Sequence, residues 1–232
     1  MSNFAKPHII VALDYADEKQ VWALVDQLDP ALCRLKVGKE LFTACGANIV
    51  KQLIAKGFSV FLDLKFHDIP NTVAHACKVA ADLGVWMVNV HALGGLTMMQ
   101  AAKEAIESYD TLLIAVTVLT SLDEADLKRI GINQPPSALA QRLALLAQEA
   151  GLDGVVCSSQ EARLLRAACG VQFCLVTPGI RLATDAQGDQ KRIVTPAQAI
   201  KNGSDYLVIG RSITQSESPI EKLNSIYLAI NK

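Results

Sequence analysis

The stretch 61-FLDLKFHDIPNT-72 places two acids and a lysine where the pattern is typical of a buried strand. Asp63 and Lys65 lie within the apolar run, and Asp68 follows it closely. A buried charge is costly unless it is paired, and well-packed apolar residues often replace a paired network without loss of stability. Charges at these positions therefore indicate chemistry rather than folding alone.

Side chains alternate along a strand, so the stretch has two faces. The apolar face comprises Leu62, Leu64 and Phe66. Asp63 and Lys65 share the opposite face, and Asp68 is placed to return beside Lys65. An earlier run, 34-RLKVG-38, carries Lys36 between two apolar residues, which directs the lysine away from the face that those residues bury. We expect an alternating array of Lys36, Asp63, Lys65 and Asp68. A buried salt-bridge network without chemistry is the alternative.

These charges belong to short apolar runs that are separated by segments with helical periodicity. There are eight such runs: 9–14, 34–38, 59–65, 87–91, 112–120, 154–158, 172–179 and 206–210. Alternation of strands and helices favours parallel pairing with right-handed crossovers. Eight units predict an α/β fold, a (β/α)8 TIM barrel forming one catalytic domain over residues 1–232, with an extra short helix within 121–153. An open doubly wound sheet is disfavoured, because no G-x-G-x-x-G follows the first run.

Active sites of such barrels lie at the carboxyl ends of the strands. Polar residues follow the runs at several of these ends: Asp14, His91, Thr120, Ser121, Pro178 with Gly179, and Gly210 with Arg211. Asp14, Thr120 and Ser121 could instead cap helices, and His91 could be a core histidine. The loops after strands seven and eight form the common phosphate site of these barrels, so Gly210 and Arg211 predict phosphate binding. The polar segment 180–194 is either a mobile loop at the site or an ordinary surface loop.

Composition argues against several classes of function. A net charge of −1 gives no electrostatic basis for binding nucleic acid, and no apolar run is long enough to span a membrane. The N-terminal residues lack a signal-peptide pattern. The six cysteines include no C-x-x-C pair, and the four histidines show no metal-ligand spacing. We expect reduced, buried thiols, no metal site and a cytoplasmic protein.

These motifs together resemble the orotidine 5′-phosphate decarboxylase family, in its type 1, bacterial-like form, over essentially the whole chain. The matching segments are ALD with Asp14, LKVG with Lys36, FLDLKFHDIPNT, VNVHA, VLTS, VTPGIR, GDQ with Gln190, and VIGRSIT with Arg211. The resemblance implies decarboxylation of orotidine 5′-monophosphate to uridine 5′-monophosphate and CO2, the last step of de novo pyrimidine synthesis. It implies no metal and no organic cofactor.

The resemblance also implies roles for individual residues. Lys65 would stabilise charge at C6 of the pyrimidine and donate the proton that replaces CO2, with Asp63, Asp68 and Lys36 as the other catalytic residues. Asp63, Asp68 and Lys36 are also implied to contact the substrate. The further residues implied to contact it are Asp14, Ile69, Thr72, Thr120, Ser121, Pro178, Arg181, Gln190, Gly210 and Arg211. A homodimer would place Asp68 and Thr72 in the partner's site.

Two alternative functions fit the same residues. A related barrel enzyme acting on a sugar phosphate also carries D-x-K-x-x-D, but it holds magnesium partly through an acid on the second strand, where this chain has Lys36. A barrel that binds a phosphate ligand without catalysis is the second alternative, and the intact charge array disfavours it.

Overall fold

Parallel strands close into a barrel in a computed structural model that describes residues 7–181 and 194–231. Each strand pairs with the next along the chain, and the eighth pairs with the first. The strands are β1 (Ile9–Ala12), β2 (Arg34–Gly38), β3 (Val60–Phe66), β4 (Met87–His91), β5 (Leu112–Val116), β6 (Gly154–Val156), β7 (Cys174–Thr177) and β8 (Tyr206–Ile209). The predicted (β/α)8 barrel is confirmed.

Helices connect the strands and cover the outside of the barrel. They are α1 (Glu18–Val25), α2 (Lys39–Ala55), α3 (Pro70–Asp82), α4 (Leu96–Ala105), α5 (Glu124–Arg129), α6 (Pro136–Glu149), α7 (Ala162–Cys169), α8 (Pro196–Lys201), α9 (Arg211–Thr214) and α10 (Pro219–Ile230), with a 3-10 turn at Ala92–Gly94. The extra helix predicted between β5 and β6 is α5.

The core has two layers, because alternate residues of each strand face opposite ways. A larger cluster lies between strands and helices and includes Leu35, Val37 and Leu62. A smaller cluster fills the barrel interior with the side chains of Ile10, Phe61, Met87, Ile114, Cys174, Val176 and Tyr206. The inward-facing residues that follow this layer along each strand therefore lie at the carboxyl-terminal mouth of the barrel.

Helix caps settle the alternatives left open for three polar residues. Asp17, not Asp14, caps α1 by accepting a hydrogen bond from the backbone N–H of Lys19. Asp123 caps α5 in a reciprocal capping box, so neither Thr120 nor Ser121 serves as its cap.

The prediction that β5 extends to Thr120 is wrong, since the strand ends at Val116. The Thr117 hydroxyl turns back to the Val156 carbonyl, and a turn follows.

Candidate active site

A cavity of about 360 Å³ opens at the carboxyl ends of the strands. Most residues predicted for the site line it: Asp14, Lys36, Asp63, Lys65, Thr120, Pro178, Arg181, Gly210 and Arg211. They come from β2, β3 and the segments after β1, β5, β7 and β8, so the closed barrel brings together residues that are far apart in the chain. Val116, Val118 and Val156 supply apolar walls to the same cavity.

A continuous chain of opposite charges crosses one side of the cavity. Lys36 Nζ lies 3.0 Å from Asp14 Oδ1 and 3.5 Å from Asp63 Oδ2. Asp63 Oδ1 in turn lies 2.6 Å from Lys65 Nζ. The order is Asp14, Lys36, Asp63, Lys65, and its formal charge sums to zero. The outer members are more open to solvent, with 60% of the Asp14 side chain and 27% of the Lys65 side chain exposed.

Asp63 is the most enclosed acid of this chain of charges. Burial alone would raise the pKa of Asp63, but the charges of Lys36 and Lys65 and the hydrogen bonds from Lys65 and Asn89 outweigh burial and lower it. The carboxylate is therefore anionic at neutral pH and accepts a charge-assisted hydrogen bond from the Lys65 ammonium. This contact fixes the direction of Lys65 within the cavity.

The backbone at Lys65 adopts an unusual conformation. Its φ angle is +55°, and it is the single non-glycine residue with positive φ in the part of the chain that the structure describes. Lysine adopts the left-handed region at an energetic cost, and such residues cluster where a site demands a particular side-chain direction. The buried side chain of Asn89 accepts a hydrogen bond from the Lys65 N–H, at 2.8 Å, and so supports this conformation.

Asn89 is a site residue that sequence reasoning missed. Its Nδ2 donates to Asp63 Oδ1 at 2.7 Å, so it contacts both Asp63 and Lys65. The available signal was its place in 87-MVNVH-91, because a polar residue with the inward parity of Met87 faces the barrel axis.

Gly38 follows Lys36 at the end of β2 and keeps room for its ammonium. A Cβ atom at Gly38 would lie 2.9 Å from Lys36 Nζ and 3.5 Å from Asp14 Oδ1. A side chain at this position would therefore push against the ion pair that joins the first two strands.

His91 ends β4 beside this chain of charges and is half-buried. Its ring stacks on His67 with centroids 5.4 Å apart, and its Nδ1 lies 3.5 Å from the Leu93 N–H. Burial, then the nearby His67, Lys65 and Lys39, lower the pKa of His91 to about 4. The ring is neutral at pH 7, which fits a structural histidine that shapes the turn after β4.

The loops after β7 and β8 complete the wall of the cavity. The β8 loop adjoins the start of the chain of charges, since β8 pairs with β1 and a Cβ atom at Gly210 would lie 3.7 Å from Asp14 Oδ2. Pro178, Gly179 and Arg181 follow β7, while Gly210 and Arg211 follow β8. In the closed strand order, β7 lies across the barrel from β3. A cationic wall thus faces the Asp63–Lys65 pair. Gln190 lies outside the described residues.

Four predicted site residues are not part of this cavity within the described ranges. Asp68 is exposed and accepts a hydrogen bond from the Ile69 N–H, and no ion pair joins it to Lys65 among the described residues. The expectation that Asp68 returns beside Lys65 is wrong for a single chain, because its carboxylate instead pairs with the backbone where α3 begins. Ile69, Thr72 and Ser121 are also exposed at this end of the barrel.

The described residues do not meet the requirements of a metal site, a reactive cysteine or a membrane-spanning helix. No three His, Cys, Asp or Glu side chains within residues 7–181 and 194–231 are arranged to hold a metal ion. The six cysteines are unpaired by disulfides, and burial raises the pKa of Cys33 and Cys77 to about 12, so neither is a ready nucleophile. Among the described helices, none has both the length and the apolar character needed to cross a membrane.

Comparison with known proteins agrees with this geometry. A sequence model of the orotidine 5′-phosphate decarboxylase / HUMPS family matches residues 7–226. An orotidine 5′-phosphate decarboxylase of Haemophilus influenzae (strain PittEE) is 62% identical over 225 residues, covering 96% of this chain and 98% of that protein. One from Psychromonas ingrahamii is 59% identical over 229 residues, covering 97% and 98%. The crystal structure of orotidine 5′-phosphate decarboxylase from Lactobacillus acidophilus superimposes with a TM-score of 0.87 at 37% identity, covering 97% of this chain and 99% of that one.

Proposed function

The chain belongs to the orotidine 5′-phosphate decarboxylase / HUMPS family, and we propose that it converts orotidine 5′-monophosphate to uridine 5′-monophosphate and CO2. The observation that carries the proposal is the chain of charges from Asp14 to Lys65 in the mouth of the barrel. High identity to curated decarboxylases over nearly the whole chain supports the same reaction and a single catalytic domain. The product places the enzyme in pyrimidine biosynthesis.

Lys65 is the proposed proton donor. When the bond between C6 and the carboxylate breaks, CO2 leaves and the electron pair stays on C6. A fixed ammonium stabilises that charge as it develops and then transfers a proton to C6, after which solvent reprotonates the neutral amine. The position of Lys65 Nζ supports this role, since Asp63 holds it 2.6 Å away at the cavity wall.

The other charges position the substrate. Asp14 is the most exposed member of the chain of charges and is suited to accept hydrogen bonds from ribose hydroxyls. Lys36 forms ion pairs with Asp14 and Asp63 and can donate to the same hydroxyls. Asp63 orients Lys65 and lies where the substrate carboxylate must approach.

The wall formed by the β7 and β8 loops is the proposed phosphate site. Arg211 offers a guanidinium fork and Gly210 a close backbone approach, with Arg181 beside them on the cavity lining. Gln190 is proposed to link phosphate and base, and Pro178 to contact the nucleotide. Thr120 lines the cavity where the pyrimidine edge would lie, and we assign Ser121 the weaker contact of the two.

The proposed reaction needs neither a metal nor an organic cofactor. Lys36 Nζ occupies the position between Asp14 and Asp63 where a magnesium-dependent relative would need an anionic ligand. A fixed cation there opposes metal binding by charge repulsion. Full activity after dialysis against EDTA is expected, whereas loss of activity that magnesium restores would favour the sugar-phosphate alternative.

We also propose a homodimer in which Asp68 and Thr72 reach the partner's site. Both are exposed around the start of α3, and the neighbouring Ile69 leaves 66% of its surface uncovered. An apolar side chain so exposed beside the mouth fits an interface. Mixing inactive Lys65→Ala and Asp68→Ala proteins should restore partial activity once the subunits exchange. No recovery in mixtures that contain verified heterodimers would disprove the shared site.

The cysteines support a cytoplasmic location for the proposed enzyme. None of the six forms a disulfide, and five of them are buried. Thiols kept in this state are typical of reducing compartments.

The decisive experiment measures release of uridine 5′-monophosphate and CO2 from orotidine 5′-monophosphate by the purified chain. Lys65→Ala should reduce single-turnover decarboxylation by about 10⁴-fold or more, since it removes both the charge and the proton. Lys56→Ala is the matched control, because Lys56 is an exposed lysine paired with Asp26 outside the cavity. No product from the wild-type protein would refute the function, and near-full activity of Lys65→Ala would refute the role of Lys65.

A further inference from the structure

Asn89 contacts the central part of the chain of charges, at Asp63 and Lys65. It is not among the described residues that line the cavity. It is fully buried, and its amide uses both ends: Nδ2 donates to Asp63 Oδ1 at 2.7 Å and Oδ1 accepts from the Lys65 N–H at 2.8 Å. Only one orientation of the amide satisfies this pair of contacts, because the reverse would set oxygen against oxygen and N–H against N–H.

The strand register explains why this amide is needed. Leu62 pairs with Val88, and the next aligned pair is Phe66 with Val90. Three residues of β3, namely Asp63, Leu64 and Lys65, therefore lie opposite a single residue of β4, Asn89. Such a bulge removes ladder hydrogen bonds and bends the strand, which re-aims a side chain.

At the bulge, the Asn89 side chain takes the place of a missing backbone partner. The Lys65 N–H donates to Asn89 Oδ1, and the residue that makes this bond has a φ of +55°. The second contact of the same amide reaches the carboxylate that holds Lys65 Nζ 2.6 Å away. One side chain thus fixes both the backbone and the ammonium end of the same lysine.

We propose that Asn89 is a positioning residue for the decarboxylation, setting the direction of Lys65 through its backbone N–H and through Asp63. The inference rests on the proposed function and adds to the orienting contact of Asp63 a support for the Lys65 backbone, through the hydrogen bond from the Lys65 N–H to Asn89. A misplacement of about 1 Å in a reacting group can cost about 10²-fold in rate. The bulge makes such a misplacement available, because without the amide the strand can relax toward a regular ladder.

The first test replaces Asn89 by Leu, which has a similar volume and removes both hydrogen bonds. We expect kcat for orotidine 5′-monophosphate to fall by about 10²-fold, while the Kd for uridine 5′-monophosphate stays within about threefold. The product lacks the reacting carboxylate, so it reports ribose and phosphate contacts that Asn89 does not touch. Thr111→Val is the matched control, since it removes a buried hydrogen bond, to the Val85 carbonyl, at the opposite end of the barrel.

The second test uses Asn89→Asp, which keeps size and shape if the leucine variant fails to fold. The introduced carboxyl would contact the Asp63 carboxylate and the Lys65 N–H on β3. Lys36 on β2 pairs with the far oxygen of Asp63, His91 is two residues along the same strand, and the paired residue on β5 is the apolar Ile114. The negative Asp63 favours its protonated form. Once protonated, it can donate to Asp63 and accept from the Lys65 N–H, as the amide does. The ratio of variant to wild-type kcat should therefore rise as pH falls.

The outcomes separate this inference from the proposed function. Loss of kcat in Asn89→Leu with retained product binding, together with acid rescue of Asn89→Asp, supports the positioning role. Equal loss of kcat and product affinity, or a ratio independent of pH, overturns it. If the wild-type chain does not act on orotidine 5′-monophosphate, the proposed function fails and the catalytic role of Asn89 fails with it. Crystal structures then test the geometric part alone: an unchanged Lys65 backbone in Asn89→Leu overturns the positioning of Lys65 by Asn89, and a regularised strand supports it.

Discussion

Replacing Asp63 by Asn tests how much the central carboxylate contributes beyond its shape. Its oxygens receive Lys65 Nζ at 2.6 Å, Asn89 Nδ2 at 2.7 Å and Lys36 Nζ at 3.5 Å. An amide offers one oxygen, so at least one of these donors would face an N–H group. The formal charge of the four groups would change from zero to +1.

The magnitude follows from burial and distance. Each of two unit-charge pairs closer than 4 Å is worth more than about 4 kcal/mol at an effective dielectric constant of 20, before desolvation is subtracted. Measured losses on removing one partner of a buried pair are about 3–5 kcal/mol. Because the introduced amide would retain the shape and part of the hydrogen bonding, we take the lower end and expect the free energy of unfolding to fall by about 3 kcal/mol. The same amount lost from the transition state lowers kcat by about 10²-fold.

The assay pairs denaturant unfolding with steady-state kinetics and product binding. Asp63→Asn should lower kcat by about 10²-fold and leave the Kd for uridine 5′-monophosphate within about threefold. Asp26→Asn is the control, since its ion pair with Lys56 is exposed and such pairs contribute about 0–1 kcal/mol. A variant that loses stability but keeps kcat would refute the orienting role. A fall in KM together with kcat would instead show that Asp63 repels the substrate carboxylate in the ground state.

Three further predictions concern other parts of the site. Arg211→Ala should weaken binding of uridine 5′-monophosphate by about 10-fold or more in calorimetric titration, because a charge-assisted hydrogen bond is worth about 1.5–3 kcal/mol. The control Arg129→Ala, at an exposed arginine, should leave binding unchanged, and unchanged affinity of Arg211→Ala would exclude the phosphate role. Thr120→Ala should raise KM for orotidine 5′-monophosphate by about fivefold and Ser121→Ala should raise it by less, because only Thr120 of this pair lines the cavity. A larger increase in KM for Ser121→Ala would contradict the assignment of Thr120 as the stronger substrate contact. Since the pKa of His91 is lowered to about 4 in the native state, its contribution to stability is present above the ordinary pKa of 6.5 and is lost as pH falls toward 4. His91→Gln should therefore reduce the change of the urea unfolding midpoint with pH across this interval. An unchanged pH dependence of the midpoint would show that His91 does not cause it.

The barrel and most of the site could be predicted from sequence because both depend on local patterns. Strand alternation placed Lys36, Asp63 and Lys65 on the inward face, and the ends of β1 and β8 indicated Asp14 and Arg211. These signals need only the period of a strand and the rule that sites form at the carboxyl ends. The strand-end rule was less reliable after β5, where a turn intervenes before Thr120.

Asp68 and Asn89 show what local patterns do not contain. The return of Asp68 toward Lys65 depended on the path of the loop, and the carboxylate instead bonds to the Ile69 N–H at the start of α3. The role of Asn89 depends on a register shift between β3 and β4, which no single strand reveals. Both cases concern relations between two elements, whereas the correct predictions concern one element at a time.

The position of the bulge connects the fold to the chemistry. A regular β3 would keep its hydrogen bonds to β4 through Lys65 and leave the lysine with an ordinary strand conformation. The observed strand gives up that regularity at Asp63, Leu64 and Lys65, two of which carry central charges, and a buried amide from β4 accepts a hydrogen bond from the Lys65 N–H. A strained backbone persists only where the surroundings over-determine it. Here the surroundings are the two hydrogen bonds of Asn89 and the ion pairs of Asp63, so the groups that hold the strain are the same groups that direct the ammonium. The energetic cost of the irregular strand and the precision of the Lys65 position therefore have a common origin. A variant that lets the strand become regular must also release the Lys65 ammonium from its fixed position.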